Sequence, residues 1–350
     1  MKFFVLVFVG VFVVSMSTLA QGVIFDENDS IFFNRNLSEI PVTRSIAPSK
    51  ASLVNYLPHS WAFDQGSTGM CVAYSLAVAR TILYAKNENF FSKDKITKES
   101  FSPLFIYYKS KNSRDSKCSN GLHTPNAVNF VLANGFAKLK DVEYPNLYPF
   151  VGIRPNCDSY PPSIYKDLKT ASKYKLDNVY KSANLIDIKT AISSGMPVVF
   201  GCLMPGGLMD AGDRKKEFWD SSKSYQCYGV TSNGKYCSEM VKNKEGYCDK
   251  HFSQYDNSIG HAMTVVGYDD IKYGGSFHIF NSWGQDWGKN GLIWISYEDF
   301  FEKDFLRYAF ALERKKEKSN SLFSSSYDEI KIDSLKYISS PRQYPFNRTK

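Results

Sequence analysis

Seven cysteines and five histidines carry most of the chemistry that this sequence could perform. Because seven is an odd number, at least one thiol has no disulfide partner within the chain. Cys71 is the best candidate for a reactive thiol, since it follows the glycine-containing stretch 64–70 and begins a run with helical periodicity. A helix N-terminus carries unsatisfied N–H groups and partial positive charge, which favour a thiolate. A buried structural cysteine at the start of the same helix explains these residues equally well.

His261 is the histidine best placed to serve such a thiol as a base. It lies at the mouth of a β-rich segment, and Asn281 lies at the end of the next such segment. If the two strands are adjacent and their ends are level, the Asn281 amide oxygen accepts from one ring nitrogen and holds the other toward a thiolate. Trp283 could then cover the pair and exclude water. A lone histidine at this position is more often structural, so the hypothesis depends on the partners meeting.

A second cluster has the residue types of a tetrahedral zinc site. Its spacing is Cys-x9-Cys-x10-Cys-x2-His, formed by Cys227, Cys237, Cys248 and His251. Because this small segment has few other apolar groups to form a core, a bound metal would supply its folding energy. Four protein ligands leave no position open for water, which predicts a structural zinc. The pattern also resembles a small Cys-Cys-Cys-His module of bacterial and phage proteins. A disulfide loop with one free thiol is the alternative in an exported chain.

The elements that must position these residues are predicted as helices early in the chain and strands late. Apolar residues from Val72 to Leu83 recur at helical spacing and predict a buried helix that begins at about Cys71. Turn and cap signals predict two further helices, over 127–133 and 186–194. Strands are predicted over 197–203, 262–268, 276–281 and 291–297. This order favours an α+β fold with two lobes.

Composition and charge exclude several classes of protein. Hydrophobic residues make up 43% and charged residues 22% of 350, which excludes a collagen, a coiled coil or a largely disordered chain. The formal charge of +8 is small and partly local to the C-terminal segment, so it does not indicate nucleic-acid binding.

Residues 1–20 have the pattern of a secretory signal peptide, with Lys2, an uncharged run and a small residue at Ala20. A retained membrane anchor is the less favoured alternative, because Ser and Thr dilute the run and it is barely long enough to span. No later segment is apolar and long enough to span a membrane. We therefore expect a secreted or periplasmic protein. Its predicted parts are a leader or linker over 21–51, a main domain over 52–312, an insertion at 222–255 and a tail over 313–350.

Three separated motifs resemble the papain (C1) family of cysteine peptidases. They are the stretch 65–71, Gly260-His261-Ala262, and Asn281-Ser282-Trp283-Gly284, and they occur in that family's order. The resemblance covers roughly 52–312. It implies a two-lobe papain-like fold, with a helical left lobe, a β-barrel-like right lobe and the active-site cleft between them. It also implies a cysteine endopeptidase that acts on peptides or proteins and needs no cofactor for catalysis.

The resemblance assigns a catalytic role to four residues. Cys71 resembles the nucleophile, His261 the general base and acid, and Asn281 the residue that orients the imidazole. Gln65 resembles the oxyanion-hole donor, which acts with the backbone N–H of Cys71. Loss of one such donor typically costs about 10²–10³ in turnover.

The resemblance also points to substrate-binding residues. Gly121 and Leu122 stand where a glycine pair commonly lines the cleft, so Leu122 narrows or reshapes one side. Gly260 and Ala262 are small and leave room in the second specificity pocket. Trp283 completes the set of predicted substrate-binding residues.

Cys118 and Cys157 flank a left-lobe segment much as a family disulfide does, and we expect them to pair. Other positions depart from the family. Thr68 replaces a usual cysteine, Val72 replaces a usual tryptophan, and residues 21–51 are too few for a long helical inhibitory pro-domain. These departures resemble the divergent bacterial branch of the family.

Two other functions remain open at this point. One is a non-catalytic, papain-shaped binding protein that uses the zinc module for recognition. The other is a Cys-His transpeptidase, which would use the same residues to join peptides. The sequence gives no indication of the oligomeric state.

Overall fold

The computed structural model describes residues 22–26, 29–41, 46–142, 169–243, 245–254 and 260–315. The predicted signal peptide, Cys157 and all of the predicted tail beyond residue 315 lie outside this part of the chain.

Within the described residues, helices and strands follow the predicted order. The helices are α1 Asp29–Asn36, α2 Cys71–Asn87, α3 Lys93–Lys98, α4 Pro103–Ser110, α5 Thr124–Asn134, α6 Leu185–Ser194, α7 Gly206–Asp213 and α8 Tyr297–Phe300. The strands are β1 Val23–Ile24, β2 Ser38–Glu39, β3 Lys50–Ser52, β4 Leu122–His123, β5 Asn178–Lys181, β6 Val198–Leu203, β7 Phe218–Trp219, β8 Tyr225–Gln226, β9 Met240–Val241, β10 Gly260–Asp269, β11 Ser276–Phe280, β12 Leu292–Ser296 and β13 Leu306–Glu313. The α+β prediction is therefore confirmed.

Helix α2 is the central helix of the molecule. It packs against α4 and α5 on one side and against β10 on the other. Residues 71–83 are all buried, so the helix has no solvent-facing stripe over that length. A helix without an exposed polar face belongs in the interior. Because α2 is held on both sides, its first residue, Cys71, has a fixed position between the helices and the sheet.

A nine-stranded sheet forms the second half of the molecule. Its main strand order is β2-β5-β13-β6-β10-β11-β12-β7, and β3 pairs with β10 from outside this path. β10 is antiparallel to β11, with Thr264 opposite Phe280. Continued toward the strand end, this register places Asn281 opposite Met263 and diagonal to His261. Diagonal cross-strand neighbours lie within reach of long side chains.

The segment 22–41, predicted as a leader or linker, packs onto the domain. β1 pairs with β4, and β2 pairs with β5. Helix α1 lies against β13, where the Phe33 ring stacks on Tyr308 and Phe310. Val23 and Phe33 are only 3% and 4% exposed, so these apolar residues join the main core. No helix among the described residues is long and apolar enough to cross a membrane.

Candidate active site

His261 and Asn281 meet at the ends of β10 and β11. The distance from His261 Nε2 to Asn281 Oδ1 is 2.7 Å, and both residues are buried. The same Oδ1 accepts the backbone N–H of Ser282 at 2.8 Å, which fixes the orientation of the amide. An amide oxygen can only accept, so Nε2 carries the proton of the neutral ring. Nδ1 is then the basic atom of His261.

Trp283 covers the imidazole. Its ring centroid lies 4.6 Å from that of His261, and Trp287 meets Trp283 edge to face at 5.7 Å. Trp287 is fully buried, so the cover is itself fixed from behind. The His261–Asn281 hydrogen bond is thus shielded from water. In the low-dielectric interior, such a bond is electrostatically stronger than it would be in water.

Cys71 lies at the N-terminus of α2 and is fully buried. Its sulfur lies beside backbone N–H groups of Ala262, Val72 and Cys71 itself, which favour the thiolate. Burial outweighs them and raises the pKa of the Cys71 thiol to about 12. In this arrangement the thiol is neutral at pH 7, whereas the helix N-terminus alone predicts a thiolate. The physical reason is loss of solvent, because desolvation disfavours the charged form.

Gln65 is held close to the ends of these strands. Its Nε2 donates to the backbone oxygen of Thr68 at 2.7 Å, and its Oε1 accepts from the Ser282 hydroxyl at 2.6 Å. A glutamine amide has two N–H groups, so a second donor stays available beyond the bond to Thr68. Because Ser282 adjoins Asn281, Gln65 and the His261–Asn281 pair belong to one hydrogen-bonded unit.

The chain's own N-terminal segment, 22–26, covers the thiol. A Cβ placed on Gly22 would lie 2.2 Å from Cys71 Sγ, so only glycine allows this approach. The Gly22 N–H donates to the Gly260 oxygen at 3.3 Å, and the Gly22 oxygen accepts from the Leu122 N–H at 3.1 Å. This contact adds to the burial that desolvates Cys71. One signal in the sequence could have indicated this contact, namely the apolar run Val23-Ile24-Phe25 within an otherwise polar stretch.

The predicted substrate-binding residues lie on both sides of that segment. Leu122 pairs with Val23 in a parallel register, so Leu122 and its neighbour Gly121 are on the helical side. Gly260 lies on the sheet side, where a Cβ would be 2.6 Å from the Val23 oxygen. Ala262 adjoins the thiol. These residues form the two walls of a groove, which here holds residues 22–25.

Tyr308 is a residue of the site that the sequence motifs did not indicate, because it lies in β13, far from every motif. Its ring packs against Phe25 of the segment in the cleft, with centroids 5.9 Å apart. Its hydroxyl bonds to the Thr124 hydroxyl across the two halves of the molecule. A Cβ on Gly201 would strike the Tyr308 ring, so the ring occupies the space that glycine leaves. Tyr308 therefore forms an apolar floor beside the thiol.

The predicted disulfide lies only partly within the described residues. Cys118 is disulfide-bonded. Its expected partner, Cys157, lies outside the described part of the chain, so the pairing stays a prediction. Cys118 also accepts the Gly69 N–H at 2.8 Å through its backbone oxygen, which ties it to the turn before Cys71.

The four predicted metal ligands converge. One ligand atom from each of Cys227, Cys237, Cys248 and His251 lies within 4.8 Å of every other. The Cys237 and Cys248 sulfurs are 3.9 Å apart, and His251 Nδ1 is 3.7 Å and 3.2 Å from the Cys227 and Cys248 sulfurs. With Zn–S of about 2.3 Å and Zn–N of about 2.0 Å, a tetrahedron has edges of roughly 3.8 Å between two sulfurs and roughly 3.5 Å between sulfur and nitrogen. The three distances given above lie within a few tenths of an ångström of those edges.

The chain is similar in sequence and in fold to known cysteine proteases. Residues 223–303, which include His261 and Asn281, match the family model described as papain family cysteine protease. Xylellain, a cysteine protease from Xylella fastidiosa, superposes with a TM-score of 0.58 at 22% identity, over 84% of this chain and 96% of that one. Digestive procathepsin L 3 of Tenebrio molitor superposes with a TM-score of 0.50 at 16% identity, over 85% and 77%. The chain has the papain-like fold.

Curated relatives that are similar in sequence to the papain-like chain include a cysteine proteinase and a cathepsin. Cysteine proteinase 1 of Entamoeba histolytica is 26% identical over 232 residues, and cathepsin J of Mus musculus is 25% identical over 237. The matches cover 66% and 67% of this chain. The family model and these relatives support a cysteine-type peptidase domain. The chain spans only 58% and 55% of the two relatives' own lengths.

Proposed function

We propose that this papain-like chain is a cysteine endopeptidase with Cys71 as nucleophile, His261 as general base and acid, and Asn281 as the residue that orients the imidazole. One observation carries the proposal. The His261–Asn281 hydrogen bond of 2.7 Å is sealed beneath Trp283, while the Cys71 sulfur lies beside the backbone of Ala262, the residue after His261. A nucleophile, a base and an orienting group arranged in this way are typical of covalent acyl transfer.

In the proposed reaction, the Cys71 thiol passes its proton to His261 Nδ1, and the thiolate attacks a peptide carbonyl. Gln65 and the backbone N–H of Cys71 stabilise the negative oxygen of the tetrahedral intermediate. His261 returns the proton to the leaving amine, which departs and leaves an acyl-enzyme. His261 then takes a proton from water, and the hydroxide releases the second product and regenerates the thiol.

The substrate has to displace segment 22–26 before it reaches the thiol. The segment's two backbone hydrogen bonds to the groove walls are of the kind that an extended peptide makes. We therefore propose that peptides or unfolded protein segments lie between Leu122 and Gly260. Tyr308 and Ala262 then favour an apolar side chain beside the thiol.

The test of this function is intact-mass labelling with an epoxysuccinyl inhibitor of cysteine peptidases. We expect one adduct on the native protein and none on Cys71→Ala, with strongly slowed labelling of His261→Ala. Cys202→Ala is the matched control, because Cys202 is another free, buried thiol and its loss leaves the adduct in place. Absence of an adduct even after prolonged incubation, which allows segment 22–26 to open, or an adduct that survives Cys71→Ala, contradicts the proposal. Analysis of peptide products by mass spectrometry then separates hydrolysis from transpeptidation.

We further propose that Cys227, Cys237, Cys248 and His251 hold a structural zinc. The donor set is that of structural zinc, and backbone N–H groups already surround the sulfurs, as at Cys227, which accepts from Gly229 and Cys248 at 3.4 Å and 3.2 Å. None of the three cysteines is in a disulfide. Metal analysis of the purified chain should find one zinc, lost in Cys237→Ser and kept in Cys202→Ala. A metal-free native chain contradicts this proposal.

Export remains part of the proposal and rests on residues 1–20 alone. Purification of the chain from culture medium or periplasm and N-terminal sequencing test it. A chain that begins near Gln21 supports the signal peptide, and an intact Met1 contradicts it. The resemblance to the divergent bacterial branch of the family stays a prediction.

A further inference from the structure

The zinc-ligand segment docks on one short helix of the main domain. We call residues 225–254 the knuckle. The Glu245 oxygen would lie 2.1 Å from a Cβ on Gly206, and Gly246 is packed equally closely against the start of α7. At the other end of this helix, the Tyr228 hydroxyl donates to Asp213 Oδ2 at 3.0 Å. The knuckle therefore holds α7 at both ends.

Helix α7 in turn supports a buried tryptophan. A Cβ on Gly212 would lie 2.0 Å from the Trp287 indole, so the helix backbone rests directly on the ring. The Gly288 N–H donates to the Gly212 oxygen at 2.7 Å, which locks the same contact from the tryptophan side. A small shift of α7 therefore has to move Trp287.

Trp287 is the support of the tryptophan that covers the catalytic histidine. It meets Trp283 at an interplanar angle of 89°, and Trp283 lies over His261. Four packed contacts thus join the knuckle to the imidazole, through α7, Trp287 and Trp283. Well-packed interiors transmit such displacements because they contain few voids.

The knuckle has almost no core of its own apart from the ligands. Its separate hydrophobic cluster consists of Cys227, Cys237, Val241 and Cys248, so three of its four members are predicted zinc ligands. Folding of a segment of this kind depends on the metal. Loss of metal would therefore release both ends of α7.

From these contacts we infer that the metal-loaded knuckle is a positioning element for the active site, which holds Trp283 against His261 through α7 and Trp287. The inference rests on the proposed peptidase function, which it deepens by tying the reactivity of Cys71 to metal occupancy. The knuckle does not touch the reacting atoms, so its effect falls on the geometry of His261.

Two perturbations test this, one with and one without metal loss. Chelation of the purified protein should slow epoxysuccinyl labelling of Cys71 by about tenfold or more, as expected for a misplaced catalytic group. Tyr228→Phe keeps all four ligands but loses the bond to Asp213, and should slow labelling roughly fivefold. Tyr180→Phe is the matched control, because it removes an equivalent hydroxyl–carboxylate bond of 2.9 Å to Glu313, on β5 far from α7.

A second readout does not depend on catalysis. The chain has five tryptophans, whose indole N–H signals can be resolved by NMR after ¹⁵N labelling. Chelation and Tyr228→Phe should shift the signals of Trp283 and Trp287 and leave that of Trp61 in place. Re-addition of zinc should restore the chelated sample.

The outcomes separate the inference from the function on which it rests. Unchanged Trp283 and Trp287 signals after metal loss overturn the inference, whether or not the labelling of Cys71 slows. A zinc-free native protein overturns it too. Absence of labelling in the fully metal-loaded protein contradicts the proposed function instead, and the indole signals then still decide the positioning role.

Discussion

Replacement of Gly22 by alanine should open the cleft. The added Cβ would lie 2.2 Å from Cys71 Sγ, far inside van der Waals contact, so segment 22–26 cannot keep its position. The segment would lose the hydrogen bonds of Gly22 to Gly260 and Leu122. At about 1 kcal/mol for each bond, the closed form loses about 2 kcal/mol. This corresponds to a factor of about 30 in the ratio of closed to open molecules.

The expected result is faster reaction of the thiol. Opening also returns water to Cys71, which lowers its pKa from about 12 and raises the thiolate fraction at pH 7. Both effects have the same sign, so epoxysuccinyl labelling of Gly22→Ala at pH 7 should be at least about 30 times faster than that of the wild type.

The assay needs a control on the same strand. Ile24 is 43% exposed, so Ile24→Ala changes the segment without touching the thiol and should label at close to the wild-type rate. Equal rates for Gly22→Ala and the wild type would refute the argument, because the segment would then not limit access to Cys71. A thermal melt shows whether either variant is less stable overall.

Further predictions concern catalysis and stability. Gln65→Ala should lower kcat by about 10²–10³ with little change in KM, since the lost donor acts on the transition state; a change confined to KM would contradict this. Asn281→Ala should slow peptide hydrolysis about 10- to 100-fold, because His261 loses its orienting acceptor; an unchanged kcat would contradict this. His278 stacks on Trp294, and burial lowers its pKa to about 4, so the folded protein resists its protonation. As the pH falls from 6.5 toward 4, the unfolded chain binds a proton at His278 that the folded protein does not. The free energy of unfolding therefore decreases over this range by up to about 3 kcal/mol, and above pH 6.5 it is unaffected. Urea titrations over this range should show a smaller loss in His278→Gln, and equal losses would contradict the assignment.

Much of the fold could be predicted because local signals agree with tertiary structure. Apolar residues after Cys71 have helical spacing and form α2, and Pro125 and Gly135 mark the ends of α5. The meeting of His261 and Asn281 followed from strand adjacency alone, since a β-hairpin fixes which side chains share an end.

The groove's occupant could not be predicted in the same way. Residues 22–26 make their contacts with Leu122 and Gly260, which are remote in sequence, and a two-residue strand leaves almost no periodicity to detect. The docking of the knuckle on α7 could not be predicted either. It depends on glycines that allow another part of the backbone to approach closely, and the sequence does not show which part that is. Such complementarity is a property of the packed molecule.

The direction of the Gly22 carbonyl has a kinetic consequence. Its oxygen accepts from the Leu122 N–H, so this carbonyl is hydrogen-bonded to the helical wall. We expect a carbonyl held in this way to resist attack by the cysteine that it covers. Removal of the segment by proteolysis would then require a second molecule, so processing should be second order in protein, with a lag that shortens on concentration.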